Sequence, residues 1–454
     1  TDTGAITISS ATVDFNANVK TTAGGANGKV TINAGAGGLD LADGKSVTTT
    51  AADAGTTSGA IDIDSDGAVN LVGNLVTTGA ANSAGTGSIG GAVNIATTGA
   101  ATISIANITT TGGASTATGG VGGAAGEIKL NTNTGTITLN SSTITAAGGA
   151  GATADDQGTG ASITFSDAVV LAGGAAKIDT GGTVGDIKFQ STVNSEQNTG
   201  KTASALHAMT LIAGAGDIDF DAAVGGLDKG ELGAIIIESA KNVTAGSTIE
   251  AASLVQDGGT LTTLTGNVTT SAVEGVDITA ADIRLDGLTI NTATNDGVVT
   301  LNGATRIDAA VTITRGTGAV TFTGTVDSQA NTGDTASEFN SLTIDGIGGG
   351  AIDFEGAVGA AQNATQQNVG RLGAVTIATA TNLTVLDGKS FNAVSFEQLA
   401  GTNTTFGGTV NTSGQIGGGN TNGIDITTTT GTVQFKEAVT TTSAVQGSGG
   451  VRIN

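Results

Sequence analysis

The sequence predicts an all-β solenoid, a parallel β-helix with three short strands per turn. Three observations carry that expectation: apolar and polar residues alternate with period 2 in nearly every segment, a strand pattern returns every 20 to 35 residues or so, and 454 residues contain no proline. A residue inside a parallel ladder must donate its backbone N–H, which proline cannot do.

The pattern is a β-branched residue, any residue, Phe, three residues and Val. It runs from Val13 through Phe15 to Val19 and returns at Ile163-Thr164-Phe165, Ile187-Lys188-Phe189, Ile218-Asp219-Phe220, Val320-Thr321-Phe322, Ile352-Asp353-Phe354 and Val433-Gln434-Phe435. Thr405-Phe406 is a weaker copy, with Thr404 at the apolar position. This spacing places two apolar side chains on one strand face and the middle residue on the other. Between residues 20 and 160 the same slot is filled without Phe, by Val30-Thr31-Ile32, Ile61-Asp62-Ile63, Val93-Asn94-Ile95 and Ile128-Lys129-Leu130. A later strand of each period repeats as Val47-Thr48-Thr49-Thr50, Val76-Thr77-Thr78 and Ile108-Thr109-Thr110-Thr111, and stacking predicts threonine columns on the outside. The Gly-rich stretches that follow are predicted to be loop insertions.

A unit this short cannot bury its apolar face alone and must stack on its neighbours. At about 25 residues per turn and about 4.8 Å between strands, roughly 18 turns would reach about 85 Å. Residues 1–180 are expected to form turns with Gly-rich insertions. Residues 181–454 continue the same solenoid with a long tandem repeat, about 185–317 and 318–454, in which Asp219-Phe220 matches Asp353-Phe354 and His207 matches Asn340. Thr1 to Ile8 already reads as strand, and Val451-Arg452-Ile453-Asn454 echoes Val30-Thr31-Ile32-Asn33, so the expectation is a segment of a longer repetitive protein or a subunit that stacks on other copies.

Composition narrows the function. Collagen is excluded by the missing proline, and a disordered polyelectrolyte by 12% charged residues. A net charge of -23 repels phosphate backbones, which argues against nucleic acid. No window holds the 18 or so apolar residues of a membrane helix. No signal peptide is recognisable after Thr1, and without Cys no disulfide can form.

Gly318-Ala-Val-Thr-Phe-Thr-Gly-Thr-Val326, the segment from Leu372 to Ile377, and the Thr-Thr-Gly-Gly inserts resemble the β-strand repeats of giant bacterial surface proteins related to filamentous-haemagglutinin and autotransporter-type adhesins. The resemblance implies a right-handed β-helical stalk or fibre outside the cell, with adhesion often residing elsewhere in the protein.

Chemistry is sparse. The single His207 is matched by Asn340 in the repeat, which disfavours a catalytic triad, and one His with no Cys disfavours zinc. Gly44-Lys45-Ser46, Gly200-Lys201-Thr202 and Gly388-Lys389-Ser390 lack the upstream glycine of a phosphate loop. Asp62, Asp64 and Asp66 are candidate calcium ligands, since Ile61 and Ile63 turn Asp62 and Asp64 to one face; Gly73 stands where the bidentate Glu of a calcium loop belongs, and the competing reading is a solvated acidic turn. Asp155-Asp156 and Asp219 with Asp221 invite a polysaccharide-active enzyme, but no Trp or Tyr is present as a sugar platform. Asn107, Asn242 and Asn382 begin Asn-x-Ser/Thr triplets, which arise readily by chance in a Thr-rich chain. Interrupted threonine columns leave ice binding a minor option. The leading expectation is a non-enzymatic structural segment of an extracellular fibre, stalk or sheath, with self-association or further β-helix as its partner. The second is a module whose inserts bind a cell-surface glycan or receptor.

Overall fold

Every strand pairing between consecutive turns is parallel, and in each turn three strand positions recur in register. The computed structural model describes residues 4–22, 28–198, 203–226, 228–330, 337–360, 370–414, 422–442 and 450–454. The chain divides into two compact units, Thr1–Gly246 and Ser247–Asn454, and each is a parallel β-helix.

In the first unit one ladder climbs through Ile6, Val30, Ile61, Val93, Ile128, Ile163, Ile187, Ile218 and Val243. A second runs through Val13, Leu39, Val69, Ile103, Ile137, Val169 and Val193, and a third through Val19, Val47, Leu75, Ile108, Ile144, Ile178, Leu211 and Ile237. Along the first ladder the turns range from 24 residues, Ile163 to Ile187, to 35, Ile128 to Ile163. Ladder residues from the third turn onward are almost all inaccessible to solvent. Each fully buried Val, Ile or Leu contributes about 1.5–3 kcal/mol.

Long strands cross corners without ending. Val69–Thr78 and Thr136–Thr145 each serve two ladders, and the register slips where they bend, between Leu71 and Asn74 and between Leu139 and Thr143. Such slips are β-bulges, which bend a strand. At the corresponding bend in Val30–Leu41, Gly38 has φ +78°, and a Cβ there would lie 2.2 Å from the Ala68 carbonyl oxygen. Only glycine fits.

The second unit has the same plan with tighter turns at its start. One ladder runs Leu254, Val276, Val299, Val320, Ile352, Leu383, Thr404, Val433, with steps from 21 residues, Val299 to Val320, to 32, Val320 to Ile352. Another runs Val268, Ile290, Ile313, Ile344, Ile377.

The Phe pattern becomes stacked rings where its copies fall on successive rungs. Phe165, Phe189 and Phe220 stack at centroid distances of 4.8 and 5.2 Å, with rings within 6° of parallel. Phe322–Phe354 and Phe406–Phe435 repeat the arrangement in the second unit, and Phe391, Phe396 and Phe406 meet edge to face.

Two expectations are corrected. The threonine columns are not all external: Thr21, Thr49, Thr77 and Thr110 are buried, while Thr48 and Thr109 lie on the outer side of the same strands. Alternation sends every second residue inward. There Thr21 donates to Gly28 O (2.6 Å), Thr49 to Gly59 O (2.5 Å), Thr77 to Gly91 O and Thr110 to Gly126 O (2.5 Å), satisfying carbonyls at the corner where the next turn begins.

Nor are the Gly-rich insertions of the first unit loose loops. Outgoing segments 79–82, 112–117 and 147–153 and returning segments 86–92, 121–127 and 156–161 form a two-layer slab beside the β-helix. Across the layers the amide of Ser88 donates to Ala80 O (3.0 Å), Gly113 to Ser88 O (2.7 Å), and Gly123 to Gly113 O, Gly149 to Gly123 O and Gly158 to Gly149 O (each 2.8 Å). Within the returning layer Gly87 donates to Val121 O and Gly122 to Asp156 O, both at 2.9 Å. Burial follows period 3: Thr86, Ile89, Val121 and Glu127 are exposed and the two residues after each of the first three are buried. That is the periodicity of the polyproline II conformation. A Cβ on Gly122 would lie 1.8 Å from Gly149 O and one on Gly123 1.9 Å from Ser88 O, although neither glycine has positive φ. Crowding, not backbone freedom, requires them.

Candidate functional site

The three aspartates singled out as calcium ligands sit at the start of the first unit. Asp62 and Asp64 lie on Ile61–Ser65, facing outward, and Asp66 follows in the bend. Asp62 forms an ion pair with Lys29 and accepts a hydrogen bond from Asn94 Nδ2 at 2.8 Å. Asp66 accepts from Thr98 Oγ1 at 3.0 Å, and Asp64 and Asp66 line a shallow groove with Asn33 and Thr98. Among the described residues, no three His, Cys, Asp or Glu side chains converge as a metal cluster.

His207 belongs to an arm whose described limbs are residues 195–198 and 203–208, paired by the antiparallel bridge Gln197–Ser204. Its Nε2 lies 2.9 Å from Glu196 Oε1, and its amide donates to Ser195 Oγ at 3.0 Å. The Glu196 carboxyl is held below its ordinary pKa first by the Gly173 amide, which donates to it at 2.9 Å, and then by His207. The second unit carries matching limbs at 328–330 and 337–340, paired at Ala330–Ser337: the Asn340 amide donates to Ser328 Oγ at 2.9 Å, while Asn340 Nδ2 reaches Ile307 O (3.0 Å) and Asp308 O (3.1 Å). Leu206 and Phe339 occupy the same place in the two arms, both with left-handed φ, +54° and +58°, and both exposed. His207 thus braces an arm that elsewhere is braced by asparagine.

The other candidates lie in turns, on strand faces or outside the described residues. Gly44 and Gly388 take positive φ in turns. Gly200-Lys201-Thr202 lies outside the described residues. Asp155 and Asp156 sit in a short 3-10 turn at a slab tip. Asp219 is pushed above its ordinary pKa by burial, against the pull of Lys188 and with Asp221, Asp217 and Asp186 adding to the rise. Asn107 donates to Asn74 Oδ1 at 3.0 Å, Asn242 to Asp217 Oδ1 at 2.8 Å, and Asn382 accepts from Asn403 at 3.0 Å. These asparagines join one turn to the next.

Two features escaped sequence reasoning. Arg315 is buried in the second unit, its guanidinium donating to the carbonyls of Gly318 (3.0 Å), Gly350 (3.2 Å) and Thr379 (2.7 Å). Burial lowers its pKa, and the contacts clasp three successive turns. A cleft of about 220 Å³ opens beside the second arm, lined by Asp282, Ala304, Arg306, Asp327 and Ala330 among others. Arg306 is held by Asp308 at 2.5 and 3.0 Å and stacks on adjacent rungs between Arg284 and Asp327. At the matching rungs beside the first arm stand Val170 and Asn194, so the charges are not demanded by the fold. Arg306 and Asp308, two residues apart at the end of an alternating strand, were the available signal.

No known protein family, curated protein or solved structure matches the chain.

Proposed function

We propose that this chain is a structural segment of a large surface protein, a part of an extracellular fibre, stalk or sheath. One observation carries the reading: the interior of each unit is built of mostly apolar ladders, its buried polar side chains Thr77, Thr110, Thr404 and Arg315 are hydrogen-bonded, and outward side chains such as Asn94 and Asn107 link one turn to the next. Chain extended by such ladders gains length and stiffness at every turn. The likeness of its repeats to those of haemagglutinin- and autotransporter-type surface proteins supports an extracellular setting. Immunogold labelling of intact source cells with an antibody to this chain tests it; the expected result is labelled fibres or a labelled coat, and label only after permeabilisation would overturn it.

A second reading, a module that binds a surface glycan or receptor, is favoured by the cleft at Arg306. Alternating guanidinium and carboxylate groups on an alanine floor suit a ligand that both donates and accepts hydrogen bonds. Screening a glycan array with wild type and Arg306→Leu separates the two, since the structural reading expects no difference between them.

A further inference from the structure

The slab of the first unit faces solvent with a surface unlike the rest of the chain. Residues 67–126 contain no charged side chain, in a protein of net charge -23. The returning layer exposes Ile89 (46%) and Val121 (42%), with Thr86 and Ala124 in the same period-3 positions. Gly87 donates to Val121 O and Gly90 to Ala124 O, which sets Ile89, Val121 and Ala124 on neighbouring segments of one face. Among the described residues, the amides of Thr86, Ile89, Val121 and Ala124 have no acceptor within the chain. The centre of the face therefore combines exposed apolar side chains and unpaired backbone donors without charge, with the carboxylates of Glu127 and Asp156 at its margins.

From this we infer that the returning face of the slab is a lateral contact between two copies of this chain. The charge distribution selects the occupant. Two copies with this net charge repel wherever their acidic surfaces face each other. They can approach at the uncharged centre of this face, between the carboxylates at its margins, where Ile89 and Val121 leave water and the flat, small-residue rows allow close contact. The contact deepens the structural reading above, joining segments side by side.

Sedimentation velocity of the full chain over a range of concentrations, at low and high salt, tests it. The expected result is a concentration-dependent dimer that strengthens as salt screens repulsion between the acidic surfaces. Ile89→Asp with Val121→Asp should weaken it by about tenfold or more, as loss of central apolar contacts does. Val72→Asp, an equally exposed apolar site outside the slab, should leave it unchanged. Circular dichroism and melting confirm that each variant is folded. A wild-type chain that stays monomeric throughout, a double variant that dimerises as well as wild type, or a Val72→Asp variant that fails equally would overturn the contact. Cell-surface labelling is independent of all three, so a monomer that decorates surface fibres removes the lateral contact and leaves the structural reading standing.

Discussion

At single positions the molecule depends on side chains that close hydrogen bonds the backbone cannot close by itself. Thr77 is buried and donates to the Gly91 carbonyl at a corner. Thr77→Val keeps the shape and orphans that oxygen, so the urea midpoint should fall by an amount equivalent to about 1–3 kcal/mol, whereas Thr77→Ser should recover most of it. The braced arm gives a second test. His207→Asn, which imitates the second arm, should raise the Glu196 carboxyl toward its ordinary pKa, read by carbon NMR titration, without restoring it fully, because the Gly173 amide remains. In wild type the ionised carboxylate stabilises the arm at pH values above about 4.3, the unfolded-state value. That contribution disappears as pH falls through the lower folded-state value.

Elements were legible in the sequence to unequal degrees. Strand positions and the core face could be read because Ile61-Asp62-Ile63 or Ile218-Asp219-Phe220 admits only one inward face, and a buried ladder enforces register. Which threonine of Val47-Thr48-Thr49-Thr50 turns inward was equally fixed by alternation, yet polarity pointed outward and concealed the corner carbonyls that Thr49 serves. The slab was hidden for a different reason. Its segments span only two or so periods of three, and glycine reads as a turn residue unless neighbouring chains are known to pack against it. Gly123→Ala should therefore abolish slow hydrogen exchange at the Gly113 and Gly149 amides, since its Cβ would lie 1.9 Å from Ser88 O. Gly119→Ala, at a slab tip with φ +67° and open space around it, should cost only about 1–2 kcal/mol and leave that exchange intact. Within the phenylalanine stack, Phe189→Ala removes the ring between Phe165 and Phe220 and should cost about 3–5 kcal/mol in urea unfolding.

Over the whole molecule, stability is a sum of turn-to-turn contacts and not the property of one central core. Each ladder residue touches its counterparts in the turns before and after, so cooperativity is local. Thermal unfolding followed by calorimetry should accordingly give a van't Hoff enthalpy below the calorimetric one; equality of the two would show a single all-or-none unit. The candidate sites were the least legible part. Asp62, Asp64 and Asp66 share a stretch of sequence, but Lys29, Asn94 and Thr98, which engage two of them, arrive from other turns. The Arg306 cleft likewise depends on Asp282 and Asp327 from the turns on either side. Pairings across a turn of variable length cannot be read from spacing alone.

The three-residue period of the slab also limits how its genes can change. A ladder tolerates any insert length that returns the chain to the next rung, but the crowded glycines must meet their partners on both the outgoing and the returning limb. Lengthening a limb by one or two residues would bring a Cβ against a neighbouring carbonyl, while three restores the phase and carries the tip about 9 Å farther out. Insertions and deletions in this region are thus expected to persist in units of three codons on each limb, a grain that the strands beside them do not impose.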